Sequence, residues 1–190
     1  MGNTSSSANH YSHGDISVAV ERGQYMAGEV VRGYVNFDVN GTLKASDLSL
    51  KFDGMTKTVV HYTRTHSSGS GSNHTTTTTH HWARQQETLV SQQAVLATYP
   101  DGDTPLGLQQ FPFELAIPRD VPSSCVIKHG QSSAAILYTI TVQLRRPGFA
   151  SYDMVQRVPV DVIAIPPQMD YERFVEDKQQ VDCCCCCSRG

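Results

Sequence analysis

The sequence is poor in charge and has neither an excess of basic residues nor a long apolar run. Charged residues make up 17% of the 190 residues, and the formal net charge is −3. Phosphate backbones need a basic surface, so nucleic acid is not expected as the main partner. No apolar stretch approaches the roughly 18–20 residues of a membrane span, and no signal peptide is expected at the N-terminus.

Cysteines spaced along the chain are also missing. Cys125 stands alone, and the other five cysteines form one run, Cys183–Cys187. A disulfide framework distributes its cysteines so that they join distant segments. The pattern therefore favours a reducing, cytosolic compartment, in which the glycosylation sequons at Asn3, Asn40 and Asn73 are not used.

The residues that could support catalysis do not form a recognisable set. Ser123 and Ser124 lie in a proline-fixed extended segment without the glycine elbow of hydrolases. A glycine-rich phosphate loop is lacking as well. Glu29 and Asp53 lie beside glycines at strand ends, where turn or capping roles are expected. The sequence thus predicts a protein that is not an enzyme and that has no catalytic or cofactor-binding residues.

The strongest signal in the sequence is the alternation of β-strands. From Phe111 to Arg146, the segment FPFELAIPRDVPSS is held extended by three prolines, and AAILYTITVQLRR alternates between apolar and polar positions. Further alternating segments are Ile16–Val20, Val31–Val39, Leu48–Phe52 and Val158–Ala164. Pro159 predicts an edge or a bulge in the last of these strands.

These segments define the fold class and the domain organisation. No helical period exceeds two turns, so the sequence predicts an all-β, antiparallel, immunoglobulin-like sandwich of eight or nine strands. We expect a flexible N-terminal tail at 1–14, the sandwich at 15–167, and a linker with a cysteine-rich tail at 168–190. The polar low-complexity segment 67–79 predicts a mobile hairpin tip.

Histidines cluster around that low-complexity segment, at His61, His66, His74, His80 and His81. Histidine-rich tracts can bind metal. Here the spacing is irregular and neither a cysteine nor a fixed carboxylate joins them, whereas a metal site needs defined ligands in an ordered setting. The segment is therefore interpreted as a solvated loop, and no metal site is predicted.

Both ends of the chain carry lipidation patterns. Gly2, with Ser6 at the favoured hydroxyl position, matches N-myristoylation, although a serine-rich tail can match by chance. The run Cys183, Cys184, Cys185, Cys186 and Cys187 is a poor zinc site, because adjacent residues cannot easily surround one tetrahedral centre. It suits S-acylation, and it also suits a linker of buried thiols. A single myristoyl chain binds membranes only marginally, so a second lipid signal at the cysteine run would complete an anchor.

Three motifs taken together resemble a known family. They are Tyr25-x-x-Gly28-Glu29-x-Val31-x-Gly33, then Leu48-x-Leu50-x-Phe52-x-Gly54, then FPFELAIPRDVPSS followed by Tyr138 and Arg145. In order and spacing they resemble the N-terminal lobe of arrestin-domain proteins, and the α-arrestin branch more than the visual and β-arrestins. The chain is expected to hold this lobe only.

The resemblance implies a cytosolic, membrane-associated adaptor without cofactors. Such proteins bind cytosolic tails of membrane receptors or transporters, together with trafficking proteins, and link them to endocytosis, protein transport or signalling at the plasma or endosomal membrane. Pro166-Pro167-Gln168-Met169 does not match the PPxY motif that recruits ubiquitin ligases. The alternative is a lipid-anchored structural or retromer-like trafficking component that binds no receptor cargo. A lone lobe would also expose apolar surface, and self-association could follow.

Overall fold

The alternating apolar positions form strands throughout a computed structural model, which describes residues 4–5, 9–11, 13–69, 75–148 and 153–166. Within these residues there are eleven strands and no helix. The strands are β1 (Thr4–Ser5), β2 (Asn9–Tyr11), β3 (Gly14–Val20), β4 (Gln24–Met26), β5 (Val30–Val39), β6 (Asp47–Ser68), β7 (Thr75–Thr98), β8 (Gly107–Ala116), β9 (Cys125–His129), β10 (Ser132–Arg145) and β11 (Met154–Ile163).

The strands form two sheets. The first has the order β1-β3-β5-β8, with β2 also paired to β3. The second has the order β4-β11-β10-β6-β7, with β9 also paired to β10. All pairings are antiparallel apart from the short parallel one between β4 and β11. The expected all-β antiparallel sandwich is confirmed.

One hydrophobic core lies between the sheets. Val18, Val35 and Phe37 contribute to it from the first sheet, and Leu50 and Ile140 from the second, each with a fully buried side chain. Because side chains alternate across a strand, the same strands present polar residues to solvent. The period-2 alternation in the sequence thus corresponds to burial in the structure, for instance along β11, where every second residue is buried.

Gly33 allows β3, β5 and β8 to pack closely. A Cβ at this position would lie against the carbonyl oxygen of Ala19 and within 2.7 Å of Cζ of Phe113. Backbone on one side and a buried aromatic ring on the other leave little room for adjustment. Gly33 is therefore required by packing.

Pro159 interrupts no hydrogen bond of its sheet. Asp161 donates to the carbonyl of Gly23 and Ile163 accepts from Ala27, so the odd-numbered residues of β11 face β4. The pairing with β4 begins only at Asp161. Pro159 lies before that point on the same side of the strand, where the edge is open. The predicted edge position is confirmed.

Tyr138 joins the proline-rich segment to the second sheet. Its ring lies over Gly54 and stacks on Phe52 at a centroid distance of 6.1 Å, while its hydroxyl donates to the carbonyl of Pro122 at 2.7 Å. Burial raises the pKa of the phenol. Tyr99 is buried as well, with a raised pKa, but its hydroxyl has no partner within the described part of the chain.

Two segments are more regular than the sequence suggested. The expected tail at 1–14 includes two stretches, β1 and β2, whose backbones pair with β3. The segment 67–79 was predicted as a mobile tip, yet its two ends extend the β6–β7 ladder as far as the pair Ser68 and Thr75. Cross-strand threonine and serine pairs support an antiparallel ladder even without apolar residues.

Replacing Gly33 by Ala should lower the free energy of unfolding by about 1–3 kcal/mol, the usual cost of overpacking a core. Urea denaturation followed by circular dichroism measures it. Gln93→Ala, at an exposed position of β7, is the control and should change stability by less than about 0.5 kcal/mol. Equal stability of Gly33→Ala and the wild type would contradict the close packing described here.

The two buried tyrosines should respond differently to loss of the hydroxyl. Tyr138→Phe should cost about 1 kcal/mol near neutral pH, because the carbonyl of Pro122 loses its donor. Tyr99→Phe should be neutral or stabilising, because no hydrogen bond is lost. Urea denaturation of the two variants at neutral pH distinguishes these outcomes.

The raised pKa values of both tyrosines also predict that the folded protein loses stability at alkaline pH. Their folded-state pKa values lie above the ordinary value of 10.0, so the folded chain holds these protons more tightly than the unfolded chain. This contribution is complete below about pH 10 and is lost as the pH rises through the raised values. The double Phe variant should therefore lose less stability above about pH 10 than the wild type, and an identical decline would refute the assignment.

Candidate functional site

The predicted lipidation residues, Gly2 and Cys183, Cys184, Cys185, Cys186 and Cys187, lie outside the described residues. Cys125 is an exposed free thiol. It lines a pocket of about 270 Å³ between β9 and β11, together with Leu137 and Pro159. No helix in the described ranges is long and apolar enough to span a membrane.

The two serines considered as nucleophiles have structural partners. Ser124 Oγ accepts the backbone N–H of Val162 at 2.9 Å, and Ser123 Oγ accepts that of Ala164 at 2.8 Å. These bonds hold the end of β11 against the segment after Pro122. The serine hydroxyls therefore serve to position backbone.

Glu29 and Asp53 also have partners of a structural kind. The carboxylate of Glu29 accepts the N–H of Met26 at 2.8 Å and so fixes the turn between β4 and β5. Asp53 accepts the hydroxyl of Ser91 at 2.7 Å and lies 2.9 Å from Nζ of Lys51.

The outer edge of β7 is the most extensive open edge in the described structure. This strand has 24 residues and pairs along one side only, with β6. It has no proline, and Arg84 and Glu87 are its only Lys, Arg, Asp or Glu residues. Proteins usually protect a long edge with proline, charge or a covering segment. The β7 edge thus leaves backbone donors and acceptors available to another strand.

Hydrogen-bond alternation shows which β7 residues face that edge. The odd-numbered residues of β11 bond to β4, so Val160 bonds to Tyr138, and the next residue of β10, Thr139, bonds to Asp53 of β6. His61 likewise donates its N–H to Ser132 on the β10 side of β6. Successive residues of a strand point to opposite sides. The even-numbered residues of β6 therefore bond to β7.

A regular six-residue window of the edge follows from this alternation. Register shifts leave Leu89 and Leu96 as bulges, so the ladder is regular from Val90 to Val95. Val90, Gln92 and Ala94 lie opposite even-numbered residues of β6 and bond to it. Ser91, Gln93 and Val95 direct their N–H and C=O groups to the open edge. We call residues 90–95 the edge window.

The neighbouring edge of β8 is less suitable for strand addition. β8 has ten residues, pairs only with β5 in its sheet, and contains Pro112, which has no N–H to donate. Gln92 Nε2 donates to the carbonyl of Ala116 at 2.8 Å and joins the two sheets here. That bond uses an acceptor near the end of β8 but leaves the β7 backbone edge open.

Beyond the last pair with β10, Ser133 with Val59, the β6–β7 hairpin continues as a two-stranded arm. We define the arm as residues 60–68 and 75–83. His61 stacks on His80 with Nε2 and Nδ1 3.1 Å apart, and Trp82 lies 5.0 Å from the ring of His61. On the opposite face, Tyr62 stacks on His81.

Four histidines of the arm lie on the strands that flank the segment 67–79. His61, His66, His80 and His81 belong to β6 or β7, and His74 lies outside the described residues. The described residues contain no group of three or more His, Cys, Asp or Glu side chains that could hold a metal ion. His61 and His80 instead form a stacked pair joined by one hydrogen bond.

Residues 14–171 match the family described as arrestin (or S-antigen), N-terminal domain. This range contains all three motifs and every strand from β3 to β11. The chain belongs to the arrestin N-terminal domain family. The recognition made from the motifs is thereby confirmed.

Among solved structures, the arrestin-family domain is similar to Spo0M, a sporulation control protein from Bacillus subtilis. The two are 19% identical, with a TM-score of 0.48, and the match covers 82% of this chain. The chain spans about half of the Spo0M structure, 51% of its length. A search of curated proteins found no match.

Sequence reasoning missed the edge window and the arm. The signal for the edge was a run of eleven uncharged residues without proline, Thr88–Thr98. Periodicity alone does not show which strand ends a sheet, so its functional meaning required the topology. The arm was missed because its threonine-rich strand lacks apolar alternation.

Proposed function

We propose that this protein is a cytosolic, membrane-associated arrestin-like adaptor that binds the cytosolic tails of membrane receptors or transporters. It would link them to endocytosis, protein transport or signalling. Membership of the arrestin N-terminal domain family supports a binding role, and such domains are generally non-enzymatic scaffolds. The observation that carries the proposal is the open β7 edge.

The binding mode we propose is addition of an extended peptide to the edge window. The outward N–H and C=O groups of Ser91, Gln93 and Val95 would supply main-chain hydrogen bonds, which give affinity in strand addition. The side chain of Val95, 59% exposed, lies on the same face as that of Gln93 and offers an apolar contact. Alternate side chains of the peptide would give specificity.

The bulges at Leu89 and Leu96 limit the length of the bound segment. A bulge bends its strand and interrupts the ladder. A peptide of about six residues therefore matches the regular part of the edge, which is typical of short linear motifs in cytosolic tails. The absence of Lys and Arg from Thr88 to Thr98 means that recognition does not require an acidic peptide.

Lipid anchors would hold the adaptor on the inner face of the plasma or endosomal membrane. We propose myristoylation at Gly2 and S-acylation within Cys183–Cys187. One myristoyl chain binds a membrane weakly and reversibly, and a second chain makes the association stable. This combination supports a peripheral protein that can find cargo tails in the plane of the membrane.

Gln93→Pro should weaken peptide binding without unfolding the domain. The N–H of Gln93 faces the open edge, so proline removes a donor to the peptide and leaves the ladder with β6 intact. Gln93→Ala keeps the N–H and is the matched control. Binding would be measured on an array of synthetic cytosolic-tail peptides and then, for the strongest peptide, by fluorescence anisotropy.

We expect binding to weaken by about tenfold or more in Gln93→Pro, since a lost hydrogen bond and a steric clash combine. Gln93→Ala should bind like the wild type, and denaturation midpoints of all three proteins should agree closely. Wild-type affinity in the proline variant would exclude the edge window. A failure of every peptide to bind would favour a structural or retromer-like component.

Gly2→Ala should shift the protein from the membrane fraction to the cytosol in cells, because alanine is not a substrate for N-myristoylation. Hydroxylamine, which cleaves thioesters, should release part of the wild-type protein in the same fractionation. A Ser substitution of the five cysteines should remove the hydroxylamine effect. Undiminished membrane association of Gly2→Ala would refute the myristoyl anchor.

A further inference from the structure

We propose that the outer face of the second sheet docks directly on the anionic surface of a lipid bilayer. This face, the basic face, is formed where β7, β6, β10 and β9 lie side by side. Its defining residues are Lys57, Trp82, Arg84, Val126, Lys128 and Leu137. It adds a contact to the membrane association proposed above and requires neither acyl group nor cargo.

The strand registers bring these residues to one face. Arg84 pairs with Val59, Val59 with Ser133, and Ser133 with Lys128, so Arg84 and Lys128 end one row across four strands. The adjacent row on the same face contains Lys57 beside Ala135, and Ala135 beside Val126. Arg84 and Lys128 thus stand at the two margins of the face and Lys57 stands inside it, with the apolar residues Val59, Ala135 and Val126 among them.

Leu137 and Trp82 extend the face in the two strand directions. Leu137 pairs with Met55, one row beyond Lys57, and Trp82 pairs with His61, one row beyond Arg84. The exposed fractions of Trp82 and Val126 are 51% and 59%. Large apolar side chains exposed together on one face indicate an interaction surface.

The arm and the adjoining parts of β6 and β7 carry charge of one sign only. Residues 57–69 and 75–86 contain no Asp or Glu, although the chain as a whole has 18. Glu87 lies on the opposite face, because it pairs with Thr56. Two carboxylates border the basic face: Asp53 is paired with Lys51 at 2.9 Å, and Asp161 lines the pocket that Val126 and Leu137 share. A basic face on a chain of net charge −3 is therefore a local feature that complements an anionic partner.

A bilayer surface suits this face better than an acidic peptide. Arg84 and Lys128 stand at opposite margins of a face four strands wide and Lys57 lies between them, so the cations match charge that is spread over a plane. Trp82 has an apolar ring body and one polar N–H, the combination that is favoured at membrane interfaces. Basic residues near an anionic leaflet each contribute to binding, and apolar residues among them add burial.

Trp82 provides its own reporter, because it is the only tryptophan in the chain. The full chain, carrying Gly2→Ala and treated with hydroxylamine to cleave any thioester, would be titrated with vesicles. Mixed phosphatidylserine and phosphatidylcholine vesicles are the anionic probe, and pure phosphatidylcholine is the neutral one. Binding to the anionic vesicles should shift the emission of Trp82 to shorter wavelength and should weaken as salt is added.

Arg84→Gln combined with Lys128→Gln should weaken vesicle binding about 25-fold, since each basic residue near an anionic surface contributes about fivefold. The matched control is Arg64→Gln combined with Lys44→Gln. It changes the net charge equally, but Arg64 lies on the opposite face of the arm and Lys44 pairs with Asp103 away from it. The control should lose less than about threefold, and co-sedimentation confirms the affinities.

Each outcome decides the proposal. Equal losses in the two double variants, or equal binding to neutral vesicles, would overturn it. Binding of an acidic phosphopeptide through Arg84 and Lys128, without binding of vesicles, would assign the face to a protein ligand and would also overturn it. Because cargo and acyl groups are omitted, failure here leaves the peptide-edge and lipid-anchor tests unaffected.

Discussion

The contact of Tyr138 with Gly54 and Pro122 is the constraint on which the arrangement of the second sheet depends. The ring of Tyr138 occupies the space that a side chain at position 54 would fill, and its hydroxyl satisfies the carbonyl of Pro122. Pro122 is followed by the two serines whose hydroxyls hold the end of β11. One side chain thus connects β6, β10 and the segment that positions β11.

That connection also explains why a hairpin can project from the sandwich. β6 has 22 residues, but β10 pairs with it only as far as Val59. The part of the hairpin before the arm is held by the core, with Phe52 and Leu50 buried on one face. The arm has no core of its own and relies on cross-strand pairs. An isolated two-stranded ribbon is only marginally stable in water, so the arm depends on being anchored by the part of the hairpin that packs on the core.

The fold could be predicted from the sequence where apolar alternation decides burial. It could not be predicted where other factors decide it. Along β5 and β10 alternation between apolar and polar positions specifies which face enters the core, and the motifs around Gly33 and Gly54 indicate close packing. The strand Thr75–Thr79 has five identical polar residues, and its state depends on the partner strand rather than on its own composition. Which strand ends each sheet depends on long-range pairing, so neither the edge window nor the basic face could be derived from local pattern.

The open edge and the basic face share strand β7, and this has a physical consequence. β7 ends its sheet, so a segment added to the edge window would become a neighbour of the surface that carries Arg84 and Trp82. The edge window directs its hydrogen bonds in the plane of the sheet, whereas the side chains of the basic face point out of that plane. A bilayer under the face and a peptide along the edge therefore do not compete for the same groups. A tail that leaves a membrane protein close to the bilayer surface could then lie along β7 while the sheet rests on that surface.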